Sequence, residues 1–129
     1  MRARIVASVA AVCFASLAAA QDQEIVIDVD GALEAPEGAV LRGLDRTNGA
    51  ITDFTVAPGE TLQYERLLVT LRECRYPEGN DQAEAFAYLV IQDIRDDVAA
   101  FEGWMFASSP ALSALDHPRY DVWVLNCKI

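Results

Sequence analysis

From Ala39 onward the chain alternates short apolar runs with turn residues, at a period that suits strands rather than helices. "AVLRGLD" and "AITDFTV" flank "RTNG", where Asn48-Gly49 accept the positive φ of a tight turn, and this predicts a β-hairpin. Pro58-Gly59 marks the next turn and leads into "TLQYERLLVTLREC", read as one extended run. Within it Leu67, Val69 and Leu71 form an apolar face, opposite Leu68, Thr70 and Arg72. Strict alternation puts Cys74 on the second, less apolar face, so a bulge near Glu73 is needed to re-aim its thiol. "YPEGNDQ" reads as a loop. "AFAYLVIQD" is apolar on both faces and predicts a central strand. "IRDD" turns into "VAAFEGWMF", and the chain closes on "YDVWVLNC", with Val122 and Val124 on one side and Trp123, Leu125 and Cys127 on the other. About six or seven strands at spacings of roughly 8–12 residues predict an all-β, small single-domain β-sandwich or β-barrel.

The N-terminal pattern is different. Arg2 and Arg4 precede an apolar stretch from Ile5 to Leu17 that closes on Ala18-Ala19-Ala20, the pattern of a cleaved signal peptide over residues 1–20. The stretch is short for a membrane span, so no stable span is expected after cleavage. Val12 before Cys13, in mid-stretch, makes a poor lipoprotein signal. The implied location is the periplasm. Removal leaves 109 of the 129 residues, enough for one small domain over 39–129. It also removes two of ten basic residues and none of 20 acidic ones, so the mature chain carries −12. That charge argues against nucleic acid and anionic lipid surfaces, which demand cations, and allows a basic partner.

Cleavage changes the cysteine arithmetic too. Only Cys74 and Cys127 remain, in an oxidising compartment, and a disulfide between them is the one intramolecular pairing. The chain-entropy model assigns it roughly 4 kcal/mol. Two cysteines and one histidine are too few for a structural zinc site.

Residues 21–38 read as an acidic N-terminal arm, with Ile25-Val26-Ile27 as its only apolar run, either solvated or adding an edge strand. Asp28, Asp30, Gly31 and Glu37 echo later positions of a calcium loop. The first ligand position, however, falls on Val26, and Pro36 adjoins the closing acid.

The richest run of potential chemistry is "GWMFASSPALSALDHPRYDVW", Gly103 to Trp123. Ser109 before Pro110 reads as an N-cap, Leu112 and Leu115 share a helical face, and Pro118 ends the turn; one short helix is predicted before the last strand. Ser108 or Ser109, His117 and Asp121 have the types of a nucleophile, base and orienter. No G-x-S-x-G elbow is present, His117 is the only histidine, and a capping serine is committed to backbone N–H groups. A metal set of Asp116, His117 and Asp121 suits a solvated loop equally well. The favoured reading is a hydrogen-bonded loop histidine, with no catalytic or metal residue and no cofactor. Trp104 and Trp123 are expected in the core, and Tyr64, Tyr76 and Tyr88 at the surface. If Trp104, His117, Tyr120 and Trp123 instead form an open cluster, they are the candidate ligand or partner contacts.

Taken together, L-R-G-L-D at Leu41–Asp45, VAPGET at Val56–Thr61, R-E-C at Arg72–Cys74, G-W-M-F-A-S-S-P-A-L at Gly103–Leu112 and H-P-R-Y-D-V-W at His117–Trp123 carry a resemblance. With Cys127 closing, this pattern resembles the alphaproteobacterial envelope family known as domain of unknown function 2155. The loop after Cys74 is shorter and more acidic here than the family pattern. The resemblance implies no activity. It does imply a genomic association with an accessory subunit of respiratory complex I. The function expected is therefore a non-enzymatic periplasmic domain that binds a protein or envelope component. The alternatives are a carbohydrate- or peptidoglycan-binding module, an accessory factor of an inner-membrane respiratory complex, and, least favoured, a small hydrolase.

Overall fold

The computed structural model describes residues 28–79 and 84–129. The predicted signal peptide and the Ile25–Ile27 run lie outside the described residues. Eight strands form: β1 Leu33–Glu34, β2 Ala39–Asp45, β3 Ala50–Val56, β4 Thr61–Tyr64, β5 Leu67–Tyr76, β6 Phe86–Asp93, β7 Phe101–Phe106 and β8 Tyr120–Cys127. They make two antiparallel sheets. In the larger, β6 lies between β5 and β7, while β1 and β4 pair with successive stretches of β5. In the smaller, β2 lies between β3 and β8. The fold is all-β and, among the described residues, a two-sheet sandwich; the closed-barrel alternative is not realised.

Alternation decides which side chains meet. Leu41, Val56, Val122 and Val124 project from the small sheet against Leu67, Val69, Leu71, Leu89, Ile91 and Met105 of the large one, all at 1% exposure or less. Burial of each such side chain is worth about 1.5–3 kcal/mol relative to exposure. The predicted central strand is central. The Asn48-Gly49 hairpin forms between β2 and β3, with Gly49 at φ 73° and the Asn48 side chain accepting from Ala50 N at 2.9 Å. In residues 21–38 an edge strand does form, but at Leu33–Glu34, and Ala35 is fully buried with its N–H donated to Cys74 O.

Four expectations are corrected. The run "TLQYERLLVTLREC" is two strands: Tyr64 pairs with Leu67 around a two-residue turn in which Glu65 takes φ 51°. Glu is an uncommon choice there, which is why no turn was visible. The helix before the last strand is only a 3-10 turn, Pro110–Leu112; the Ser109 side chain does not cap it, and Leu112 is exposed. The tryptophans are not core: Trp104 and Trp123 are each half-buried beside the inward residues Met105, Val122 and Val124, so alternation turns them outward. The interior is filled mainly by aliphatic side chains. Tyr64, expected at the surface, is buried, stacked on Phe54 (centroids 5.4 Å apart) and edge-on to Tyr120 (5.8 Å).

Cys74 and Cys127 are disulfide-bonded, with Cα atoms 5.8 Å apart, and join β5 of one sheet to β8 of the other. Each cysteine is out of phase with its strand's inward residues. Pairing of β5 with β6 slips between Leu71 and Glu73, and pairing of β8 with β2 slips where Leu125 has no partner. Each bulge turns the following cysteine back between the sheets, Cys74 to 0% and Cys127 to 5% exposure. The bulge foreseen near Glu73 is there; its counterpart at Leu125 was not foreseen.

Candidate functional site

One end of the sandwich is closed by a polar network. β2 ends on Asp45 and β6 on Asp93, both buried carboxylates, and each must find donors there. Asp93 accepts from His117 Nε2 at 2.8 Å, from Arg95 N at 3.0 Å and from Arg66 Nη2 at 3.3 Å. Asp45 accepts from the Thr47 hydroxyl at 2.7 Å, Thr47 N at 3.0 Å and Arg119 Nη2 at 3.1 Å. These donors hold both carboxyls at about 2, below the ordinary 3.8; the His117 bond is the main cause at Asp93 and the Arg119 bond at Asp45.

His117 is 5% exposed. Its Nδ1 accepts the N–H groups of Arg119 and Tyr120, both at 3.1 Å, which places the ring proton on Nε2, where it is donated to Asp93. Both nitrogens are thus engaged. The ring stacks on Tyr120 at 5.3 Å, and the Arg66 and Arg119 guanidinium groups lie 5.4 and 5.2 Å from the Tyr120 centroid. The expectation of a hydrogen-bonded loop histidine holds. Its partner Asp93 escaped the sequence reading; a carboxylate ending an otherwise apolar strand was the available signal.

The other residues once cast in a catalytic set are dispersed. Ser108 donates both its N–H and its hydroxyl to the Glu84 carboxylate. Asp121 lies 3.7 Å from Arg46 Nη2, not on His117. Near the N-terminal end of the described chain, the Asp28 carboxylate accepts from Gly31 N at 3.0 Å. Among the described residues, no three His, Cys, Asp or Glu side chains group as a metal site, and no helix is long and apolar enough to cross a membrane.

The four candidate contacts therefore split. His117 and Tyr120 are buried in the closing network. Trp104 lies on the outer face of the large sheet, edge-on to its cross-strand neighbour Tyr88 at 5.3 Å; Arg72 sits 5.5 Å from the Tyr88 centroid and 3.4 Å from Glu102. Trp123 lines a groove of about 400 Å³ where β7 approaches β8, together with Met105, Phe106, Ala111, Ala114 and Asp121. The volume is at the small end of the range for ligand pockets. The groove is mainly apolar, and Asp121 is its charged residue. No sequence signal marked it, because it forms between two sheets and a loop.

These features define a disulfide-linked antiparallel β-sandwich with one end sealed by a polar network around two buried carboxylates and, among the described residues, an apolar groove beside an edge strand of each sheet. A family model described as "Uncharacterized protein conserved in bacteria (DUF2155)" matches residues 39–127, and the chain belongs to that family. The match begins at β2 and ends at Cys127, so it spans both sheets and the disulfide. No curated protein and no solved structure matches the chain.

Proposed function

We propose that this protein is a non-enzymatic periplasmic domain that binds a protein or another envelope component. The observation that carries the reading is the engagement of His117: with one nitrogen on Asp93 and the other on two backbone N–H groups, it has no free lone pair for a base or a metal. His117, the candidate base, helps to seal the sandwich, whereas Ser108 and Asp121 lie apart from it and Asp121 lines the groove. The N-terminal pattern of residues 1–20 and the disulfide support export. The test has two parts. Cell fractionation and N-terminal sequencing should find the chain in the periplasm beginning at Gln21; a cytoplasmic, full-length chain would overturn the location. In a deletion strain, a folded His117→Ala variant should restore whatever phenotype the wild type restores; loss of rescue with the fold intact would point to catalysis.

The half-exposed Trp104–Tyr88 pair, flanked by Arg72 and Glu102, supports a second reading as a carbohydrate- or peptidoglycan-binding module, since aromatic faces pack on sugar rings. Sedimentation with insoluble peptidoglycan, abolished by Trp104→Ala, is the expected outcome of that reading.

A further inference from the structure

The groove and the edge strand beside it share a geometry. Among the described residues β7 is an edge strand of the large sheet and pairs with β6 alone. Ala107 N donates to Ala85 O in the same register, so the odd-numbered residues of β7 bond to β6. The main-chain N–H and C=O groups of Glu102 and Trp104 consequently point away from the sheet, a template for an added strand. Along that edge lies the groove lined by Met105, Phe106, Ala111 and Trp123. A strand laid beside β7 would direct alternate side chains inward, into this apolar space. Pro110 and Ala111 of the 3-10 turn add to its apolar lining.

Charge selects the occupant. Asp121 at the groove is one-third exposed, and its nearest cation, Arg46, is 3.7 Å away with another guanidinium nitrogen committed to His117 O. The chain as a whole carries 20 acidic against 10 basic residues. An apolar segment flanked by acids would be repelled, and one flanked by cations attracted.

We propose that β7 and the adjoining groove receive an extended segment of a partner protein in which an apolar side chain enters the groove and a neighbouring Lys or Arg meets Asp121. The proposal rests on the protein-binding reading and specifies its site and mode, strand addition with one pocketed side chain.

Photo-crosslinking in living cells tests it, with benzoylphenylalanine at Ala111, on the groove, or at Ile51, an exposed residue of β3. The adduct is mapped by mass spectrometry to the cross-linked peptide. The expected result is a protein adduct from position 111, through an apolar segment bearing Lys or Arg, and its loss in Asp121→Arg. A synthetic copy of that segment should protect the Glu102 and Trp104 amides from hydrogen exchange, and Asp121→Asn should weaken its binding about tenfold. Protein adducts from position 51 alone would leave the protein-binding reading standing and overturn the groove. A lipid or glycan adduct at 111, an acidic peptide, or unprotected β7 amides would also overturn it. Adducts from neither position would overturn both readings together.

Discussion

The Tyr64 ring lies so close over Gly43 that a methyl group on that glycine would stand 2.5 Å from Tyr64 Cζ. Gly43 is buried in the middle of β2, and Tyr64, at the end of β4 in the other sheet, stacks there on Phe54 and meets Tyr120 edge-on. The glycine of L-R-G-L-D is therefore required by the packing of the opposite sheet, because only a residue without Cβ lets an aromatic ring reach the backbone.

Gly43→Ala is expected to destabilise the fold by about 1–3 kcal/mol through overpacking. Combined with Tyr64→Leu, the two losses should sum to less than their separate values, since the smaller side chain removes the clash. Urea denaturation of the two single variants and the double variant checks this. Additive losses would show that the close approach carries no strain.

Loss of the disulfide should be severe. Cys74→Ala/Cys127→Ala frees a cross-link between residues 53 apart, worth about 4 kcal/mol. At an m-value of about 2 kcal/mol/M the urea midpoint falls by about 2 M. A shift under about 0.5 M would mean that the two sheets hold together without it.

The bulges make a separate prediction. Deleting Arg72 removes the extra residue of β5, so that Glu73 and Cys74 follow Leu71 in plain alternation and Cys74 keeps its inward place opposite Ala87. Thiol titration of the denatured variant should therefore find no free thiols, as in the wild type. Two free thiols in the deletion variant would contradict this account of the bulge.

Acid should open the sealed end. Asp45 and Asp93 are held at about 2 when folded, against 3.8 ordinarily, so the unfolded chain takes up their protons first. Their stabilisation is complete above about pH 5 and is lost as pH falls from about 4 towards 2. Denaturation midpoints measured at pH 6, 4 and 2.5 should decline along that course. Asp45→Asn/Asp93→Asn should start lower at pH 6 and decline less. An equally steep decline in the double variant would assign the acid limb to other carboxylates.

His117→Ala leaves the buried Asp93 with one donor fewer, and the Arg119 and Tyr120 N–H groups without their acceptor. A loss of about 1–3 kcal/mol is expected, with Asp93→Asn non-additive to it. Calorimetric melting of the variants measures the coupling, and a neutral His117→Ala would remove the histidine from the closing network.

Much of the fold is legible in residue order because the period of a strand is short. Leu67, Val69 and Leu71, the apolar β6, and Asn48-Gly49 each declare their role within a few residues, since inward and outward positions simply alternate. The Glu65-Arg66 turn is not legible, because neither residue favours positive φ. Nor is the outward placement of Trp104 and Trp123: a large apolar side chain matches the core in type, and only register assigns it a face.

The chain by itself pointed to an all-strand domain, the Cys74–Cys127 pair, a bulge near Glu73 to re-aim Cys74 and a histidine in a loop after β7. These follow from local alternation and from counting, which do not require knowing what lies opposite. Only the tertiary structure decided the second bulge at Leu125, the joining of one sheet to the other by the disulfide, the pairing of His117 with Asp93, and the groove between β7 and β8. Each joins residues far apart in the chain, and their meeting depends on how two twisted sheets stack, which is a property of the packed whole.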